Sequence, residues 1–143
     1  MTYTDETLGG RAATVCRMGK WVDGTGTLTV AALDVPLEVA ASYRARRRGL
    51  LGRDGIAGAL LIVRTNSVHT FGMRFPIDVA HLDGSFTVRS VVTMRPGRLG
   101  MIRPRGRHVL EAEAGAMAEW GLEPGVRVRV SYGRVTEAPD RAG

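Results

Sequence analysis

Alternation of apolar and polar residues predicts short β-strands over most of the chain. Residues 27–41 alternate in this way on both sides of Asp34–Pro36, which predicts two strands joined by a turn at those positions. The run ALLIV (59–63) is continuously apolar, as is typical of a strand that is covered on both faces. The first half of the chain therefore contributes at least three strands.

The second half continues the same pattern with clearer turn signals. Asp83-Gly84 is a dipeptide typical of tight hairpins, and it separates two alternating segments, 77–82 and 86–92. The segment HVLEAE (108–113) predicts another strand. In VRVRVSY (126–132) the valines alternate with arginines, which predicts a final strand with one buried face.

Two stretches change to helical spacing. In SYRARRRGLLGR, Ser42 can cap a helix, Gly52 can end it, and Tyr43 takes a core-facing position. The stretch GAMAEWG predicts a second short helix that closes at Gly121.

These elements predict a β-rich α+β class in a single compact domain. We expect a small curled or barrel-like, mostly antiparallel sheet of about seven or eight short strands with two short helices, because so many short strands must protect their edges. The predicted domain covers residues 21–133, between a flexible N-terminal arm (1–20) and a flexible tail (134–143).

Composition places the chain among soluble proteins. It has 143 residues, a net charge of +6 and one cysteine, Cys16, so no intramolecular disulfide is possible. Acidic residues near the N-terminus argue against a signal peptide, and no run reaches the roughly 18 apolar residues of a membrane span. We expect a cytoplasmic location.

Four ordered segments resemble the bacterial and archaeal family known as domain of unknown function 192 (DUF192). They are ASYRARRRGLLGR (41–53), GALLIV (58–63), HTFGMRFPIDVAHLDG (69–84) and HVLEAEAG with WGLEPGVRV (108–128). The resemblance implies a compact β-rich fold and no established activity. His81 and His108 stand where relatives often have aromatic residues, which implies surface-tolerant strand positions for both.

Asp78 is the most unusual residue of the predicted strands. Pro76 suits a strand start, and Gly72 permits a bulge before it. Asp78 therefore lies near the start of an apolar strand, where its carboxylate needs a hydrogen-bond or ion-pair partner. Arg53, Arg74 and nearby backbone amides are candidate partners. Two interpretations stay open: a carboxylate that pins a bulge or loop, and a general base in a pocket.

His69 is the second candidate for chemistry. It can pair with Asp78 or Glu111 as an acid–base couple, or it can be a strand histidine with a single hydrogen-bond partner. The three histidines lack paired ligand spacing, which predicts no metal, and no phosphate-binding loop or nucleophile elbow predicts a cofactor or a covalent mechanism.

Arginine dominates the basic residues, since only Lys20 is a lysine. A helix would scatter the arginines of RARRR (44–48) around its surface, and stacking aromatics are scarce nearby, so nucleic-acid binding is a minor hypothesis. An anionic partner is possible through the arginines of a Gly/Pro-rich loop: Arg95, Arg98, Arg103, Arg105 and Arg107.

The leading hypothesis is a non-enzymatic binding or accessory module with a polar pocket. The alternative is a small hydrolase-like acid–base enzyme that uses Asp78 with His69. The residues expected around the pocket are Arg53, His69, Thr70, Met73, Asp78 and Glu111.

Overall fold

The computed structural model describes residues 21–132, so the predicted arm (1–20) and tail (134–143) lie outside the described residues. Seven strands and two short helices follow one another in this range. In chain order they are β1 (Gly24–Val30), β2 (Leu33–Ala40), α1 (Tyr43–Arg48), β3 (Ala59–Val63), β4 (Ile77–Leu82), β5 (Val88–Met94), β6 (His108–Glu113), α2 (Ala116–Trp120) and β7 (Arg129–Tyr132). The predicted β-rich α+β class is confirmed.

All seven strands form one sheet in the order β5-β4-β6-β3-β2-β1-β7. Only β2 and β3 run parallel, and the other neighbouring pairs are antiparallel. An isolated bridge between Thr87 and Arg127 joins the segments just before the two edge strands. The strands themselves do not pair across that gap, so the sheet is curled, as expected, but not closed into a barrel.

The central strands β3, β4 and β6 are buried on both faces of the sheet, and each face has its own helix. On the α2 face, Leu61 and Leu110 pack with Met117 of α2. On the α1 face, Ile62 and Val79 pack with Leu50, which follows α1. A parallel pair needs a crossover, and residues 41–58 supply it between β2 and β3, which carries α1 onto its face of the sheet.

Two predicted turns are displaced. The first hairpin turns at residues 31–32 rather than at Asp34–Pro36, because the ladder continues to the pair Val30–Leu33 and leaves a two-residue loop. Ala31 takes the positive φ of 54° that such a loop requires. Helix α1 ends at Gly49 rather than at Gly52, with the Gly49 amide donating to the Ala45 carbonyl at 3.0 Å.

Tyr43 is exposed rather than core-facing. Helix α1 has only six residues and buries none of them, so the residue that fills the core is Leu50, beyond the helix end. Because Gly49 breaks the helical spacing, a continuous helical projection gives Tyr43 the wrong orientation.

We expect Ser42→Ala to lower the free energy of unfolding by about 1 kcal/mol, the usual cost of losing a helix N-cap. The Ser42 hydroxyl accepts from the Ala45 amide at 3.1 Å and donates to Asp23 at 2.8 Å, so it joins α1 to the segment before β1. Chemical denaturation measures the change. Ser42→Thr keeps the hydroxyl and is the control, and equal midpoints for Ser42→Ala and wild type would contradict the prediction.

Among the described residues, no helix is long and apolar enough to cross a membrane.

Candidate functional site

An open pocket of about 270 Å³ lies on the α1 face of the sheet. Ile62 of β3 and Glu111 of β6 form its floor, while α1 with its following turn and the segment 65–73 form its walls. Its volume is close to the lower end of the range, about 300–1,000 Å³, that is usual for small-molecule sites. The pocket is therefore large enough to hold a small organic molecule.

Glu111 is the polar group at the floor of this pocket. It lies in the interior of the sheet, opposite Leu60 of β3 and Val79 of β4, and it is only 5% exposed. Within residues 21–132, no donor contacts its carboxyl group, and no arginine lies within ion-pair distance. Burial raises the pKa of Glu111 to about 7, so both protonation states are present near neutral pH.

Gly49 leaves the space above Glu111 open. Its backbone has a positive φ of 50°, and an added Cβ would lie 3.8 Å from both the Glu111 Oε1 and the Ile62 Cδ1. Because the glycine that ends α1 has no side chain, the pocket stays open beside the carboxyl group.

The helix side of the pocket is basic. Arg46, Arg47 and Arg48 form the last turn of α1, and all three line the pocket. The Arg47 guanidinium donates to the Tyr43 hydroxyl at 3.0 Å and lies 5.8 Å from the centre of that ring, so the two side chains order each other. A buried glutamate at the floor and three arginines at the rim therefore line one small volume.

The apolar part of the pocket comes from both walls. Leu50 and Leu51 line it from the turn after α1, and Val68 and Met73 line it from the segment opposite. His69 lies beside them, accepts a hydrogen bond from the Phe71 amide at its Nδ1, and stacks on the Phe71 ring at 4.9 Å. The Nδ1 atom of His69 is therefore already hydrogen-bonded within the protein.

Of the six residues expected around a pocket, the structure brings together His69, Met73 and Glu111. Arg53 instead forms a two-pronged ion pair with Glu38, at 2.8 and 3.0 Å. Thr70 is buried, and its hydroxyl donates to the Arg95 carbonyl at 2.6 Å. Neither residue lines the pocket.

Asp78 lies on the other side of the sheet. It shares the α2 face with Ala80 and Leu82, and it accepts hydrogen bonds from the Thr93 hydroxyl at 2.6 Å and from the Gly115 and Met117 amides at 2.9 and 3.1 Å. The structure does not bring Asp78 and His69 together as an acid–base pair, because the sheet separates them. It also gives Asp78 neither of the two expected arginine partners, since Arg74 pairs with Asp54.

His81 and His108 are buried, which corrects the expectation of surface-tolerant positions. Both lie in central strands, where both faces are covered. The Nδ1 of His108 accepts from the Arg64 amide at 3.0 Å, and the ring stacks on Phe86 at 5.1 Å. Burial, with the charges of Arg64 and Arg107, lowers the pKa of His108 to about 4. In the part of the chain that the structure describes, no group of three His, Cys, Asp or Glu side chains is placed to hold a metal ion.

Sequence reasoning missed the arginine rim and the apolar walls. RARRR reads as a solvated helix face, and only the position of α1 over the edge of the floor makes three of its arginines line a pocket. The isolated Glu111 within an apolar strand was the available signal, because a buried carboxyl group without a neighbour of opposite charge needs an explanation.

Comparison with known proteins gives one family. The model of the family DUF192, described as "Uncharacterized ACR", matches residues 26–130. A curated relative, the UPF0127 protein PH1112 of Pyrococcus horikoshii, is 32% identical over 84 residues, which cover 55% of this chain and 73% of the relative.

Two solved structures have a similar fold. A "putative transcription regulator" from Sinorhizobium meliloti 1021 matches with a TM-score of 0.64 at 22% identity, covering 78% of this chain and 96% of that one. A protein of unknown function from Novosphingobium aromaticivorans matches with a TM-score of 0.63 at 18% identity, covering 84% and 93%. At these identities the likeness concerns the fold alone.

Proposed function

The chain belongs to the DUF192 family, whose function is unknown, and on that premise we propose that it is a non-enzymatic binding module for a small organic molecule. The observation that carries the proposal is the Glu111 carboxyl group, which is buried at the floor of an open pocket without a protein partner among the described residues. A ligand that donates a hydrogen bond to Glu111 would offset the cost of burying it.

The surroundings of Glu111 describe the rest of this ligand. An ammonium or hydroxyl group would meet the carboxyl group, and a short apolar segment would contact Leu50 and Met73. An anionic group at the other end would face the arginines of α1, whose guanidinium groups suit carboxylates and phosphates. A small zwitterion or an acidic hydroxyl compound has this arrangement.

Native mass spectrometry of protein purified from the organism that encodes it tests the proposal. We expect a retained small organic molecule in wild type and in Glu123→Gln, which changes an exposed carboxylate outside the pocket, and its loss in Glu111→Leu. Methyl NMR of Ile62 and Met73 with a library of metabolite-sized compounds covers a ligand that is lost during purification. Equal retention by Glu111→Leu, or no bound molecule in either experiment, would overturn the proposal.

The charge of the donor group sets the pH dependence of binding. If the ligand presents an ammonium group, affinity should rise about tenfold between pH 6 and pH 8, because only the ionised form of Glu111 forms an ion pair and its pKa is about 7. Benzylammonium is a suitable probe in calorimetry, with Glu111→Gln as the control that removes the dependence. Tighter binding at pH 6 than at pH 8 would contradict an ammonium contact at Glu111.

We also propose an anionic partner for the loop 95–107 and a cytoplasmic location. Of the loop arginines, Arg95, Arg98, Arg105 and Arg107 are exposed and Arg103 is half-buried, which supports the first point. The single cysteine supports the second, because a reducing compartment does not favour disulfides. Cell fractionation with a tagged full-length chain tests the location.

A further inference from the structure

The loop between β5 and β6 presents large apolar side chains to water. Leu99 is 73% exposed, Met101 is 69% exposed and Ile102 is 63% exposed, and Phe71 is exposed nearby. Single exposed apolar residues are ordinary, but three within four positions form a patch, which we call the apolar tip (Leu99, Met101 and Ile102). The pocket and the two cores do not use these side chains.

The backbone before the apolar tip is fixed against the wall of the pocket. The Thr70 amide donates to the Arg98 carbonyl, and the Gly97 and Gly100 amides donate to the Thr70 and Val68 carbonyls, each at 2.8 Å. The Thr70 hydroxyl adds the bond to Arg95 described above, and His69 forms a bridge with Leu99. The base of the loop is therefore structured, and the exposure of Leu99 results from the fold.

The charged residues that flank the apolar tip along the chain are all positive. Arg98 precedes it, Arg103 and Arg105 follow it, and no acidic residue occurs between Asp83 and Glu111. An apolar tip within a cationic surround complements a surface that has an apolar interior and an anionic face.

We propose that the apolar tip inserts into the surface of an anionic lipid bilayer, with the flanking arginines on lipid phosphates. Side chains more than 60% exposed project from the protein, so a protein partner would need a socket shaped to enclose each of them. A fluid bilayer encloses such side chains without a preformed socket, and arginine interacts well with phosphate. The proposal goes beyond ligand binding, although the tip adjoins the pocket through the His69–Leu99 bridge.

Vesicle co-sedimentation of the full chain tests this inference. We expect binding to vesicles that contain about one-third phosphatidylglycerol, weaker binding as salt increases, and little binding to pure phosphatidylcholine. The combined change Leu99→Ser, Met101→Ser and Ile102→Ser should weaken binding by at least about tenfold, because it removes the apolar area that insertion would bury. Val22→Ser with Leu33→Ser removes exposed apolar residues elsewhere and should leave binding unchanged.

A second variant series separates charge from insertion. Arg98→Gln with Arg105→Gln should weaken binding and reduce its salt dependence, while Arg44→Gln with Arg129→Gln, exposed on other surfaces, should have a smaller effect. A nitroxide at Met101→Cys in a Cys16→Ser background should become protected from a water-soluble relaxation agent when vesicles are added.

Three results would overturn the inference: no binding of wild type to anionic vesicles, unchanged binding of the triple serine variant, or a nitroxide that stays in water. Capture of an acidic protein through the same tip, without vesicle binding, would assign the surface to a protein partner instead. Circular dichroism of each variant confirms that it folds before the vesicle results are compared.

Discussion

Replacing Asp78 by alanine is expected to lower the free energy of unfolding by about 2–3 kcal/mol, the upper part of the usual cost of leaving buried donors unpaired. Asp78 is buried in β4, and its two oxygens accept from the Thr93 hydroxyl and from the Gly115 and Met117 amides. Alanine leaves all three donors without this acceptor and removes a connection between three elements.

The role of Asp78 follows from the start of α2. Gly115 occupies the N-cap position and has no side chain to cap the helix, so the first amides of α2 need an acceptor from elsewhere. Asp78 supplies it from the neighbouring strand. The aspartate within an apolar strand is therefore a structural group that fixes α2 to β4 and, through Thr93, to β5.

Chemical denaturation of three variants tests this assignment. Asp78→Asn keeps one carbonyl oxygen for the α2 amides and should therefore lose less stability than Asp78→Ala. Asp54→Ala removes an exposed carboxylate that pairs with Arg74, and should change stability by less than about 0.5 kcal/mol. A denaturation midpoint for Asp78→Ala at or above that of wild type would contradict the structural role assigned to Asp78.

Local patterns predicted most of the fold because alternation and turn residues act over a few positions. ALLIV is a central strand buried on both faces, and Ser42 and Gly121 cap helices as predicted. The predictions failed where a longer-range ladder decided the outcome. The β1–β2 pairing extends to Val30 and Leu33 and moves the turn away from the Asp-Val-Pro sequence that marks it locally.

The candidate site was predictable only in part. The alternation of side chains along β4 correctly placed Asp78 with Ala80 and Leu82 on a covered face. It could not say which helix covers that face, because this depends on the paths of two connections, the one between β2 and β3 that carries α1 and the one between β6 and β7 that carries α2. Those paths put α1 over Glu111 and α2 over Asp78, so the two acids considered as partners of His69 lie on opposite faces.

The buried histidines show a different limit. A polar residue inside a strand is ambiguous until the neighbouring strands are known, and β6 lies between β4 and β3 in the centre of the sheet. His108 is therefore enclosed, with its ring against Phe86 and Trp21, although its sequence neighbours Arg105 and Arg107 are exposed.

Glu111 should make wild type lose stability relative to Glu111→Gln as pH rises. Its pKa in the folded protein is about 7, above its ordinary value of 4.5, so the folded state binds the proton more tightly than the unfolded state. The stability that Glu111 contributes is fully present below pH 4.5 and is lost as pH rises through about 7. The difference between these pKa values corresponds to about 3 kcal/mol.

His108 opposes this dependence and would hide it in wild type alone. Its pKa is lowered from 6.5 to about 4, so the stability linked to it is present above pH 6.5 and is lost as pH falls through about 4. Burial, with the charge of Arg103, also lowers the pKa of His81, which contributes with the same sign. Between about pH 4.5 and 6.5, Glu111 and His108 give slopes of opposite direction.

The difference between two proteins removes the shared histidine contribution. We expect the stability of Glu111→Gln relative to wild type to increase by about 3 kcal/mol between pH 4 and pH 8.5, because glutamine keeps the shape but never ionises. Glu123→Gln, which changes an exposed carboxylate, is the control variant. Denaturant midpoints across this range measure both curves. A gap between Glu111→Gln and wild type that does not widen with pH would show that Glu111 ionises freely in the folded protein, and the pocket would then lack the uncompensated carboxyl group on which the proposed ligand binding depends.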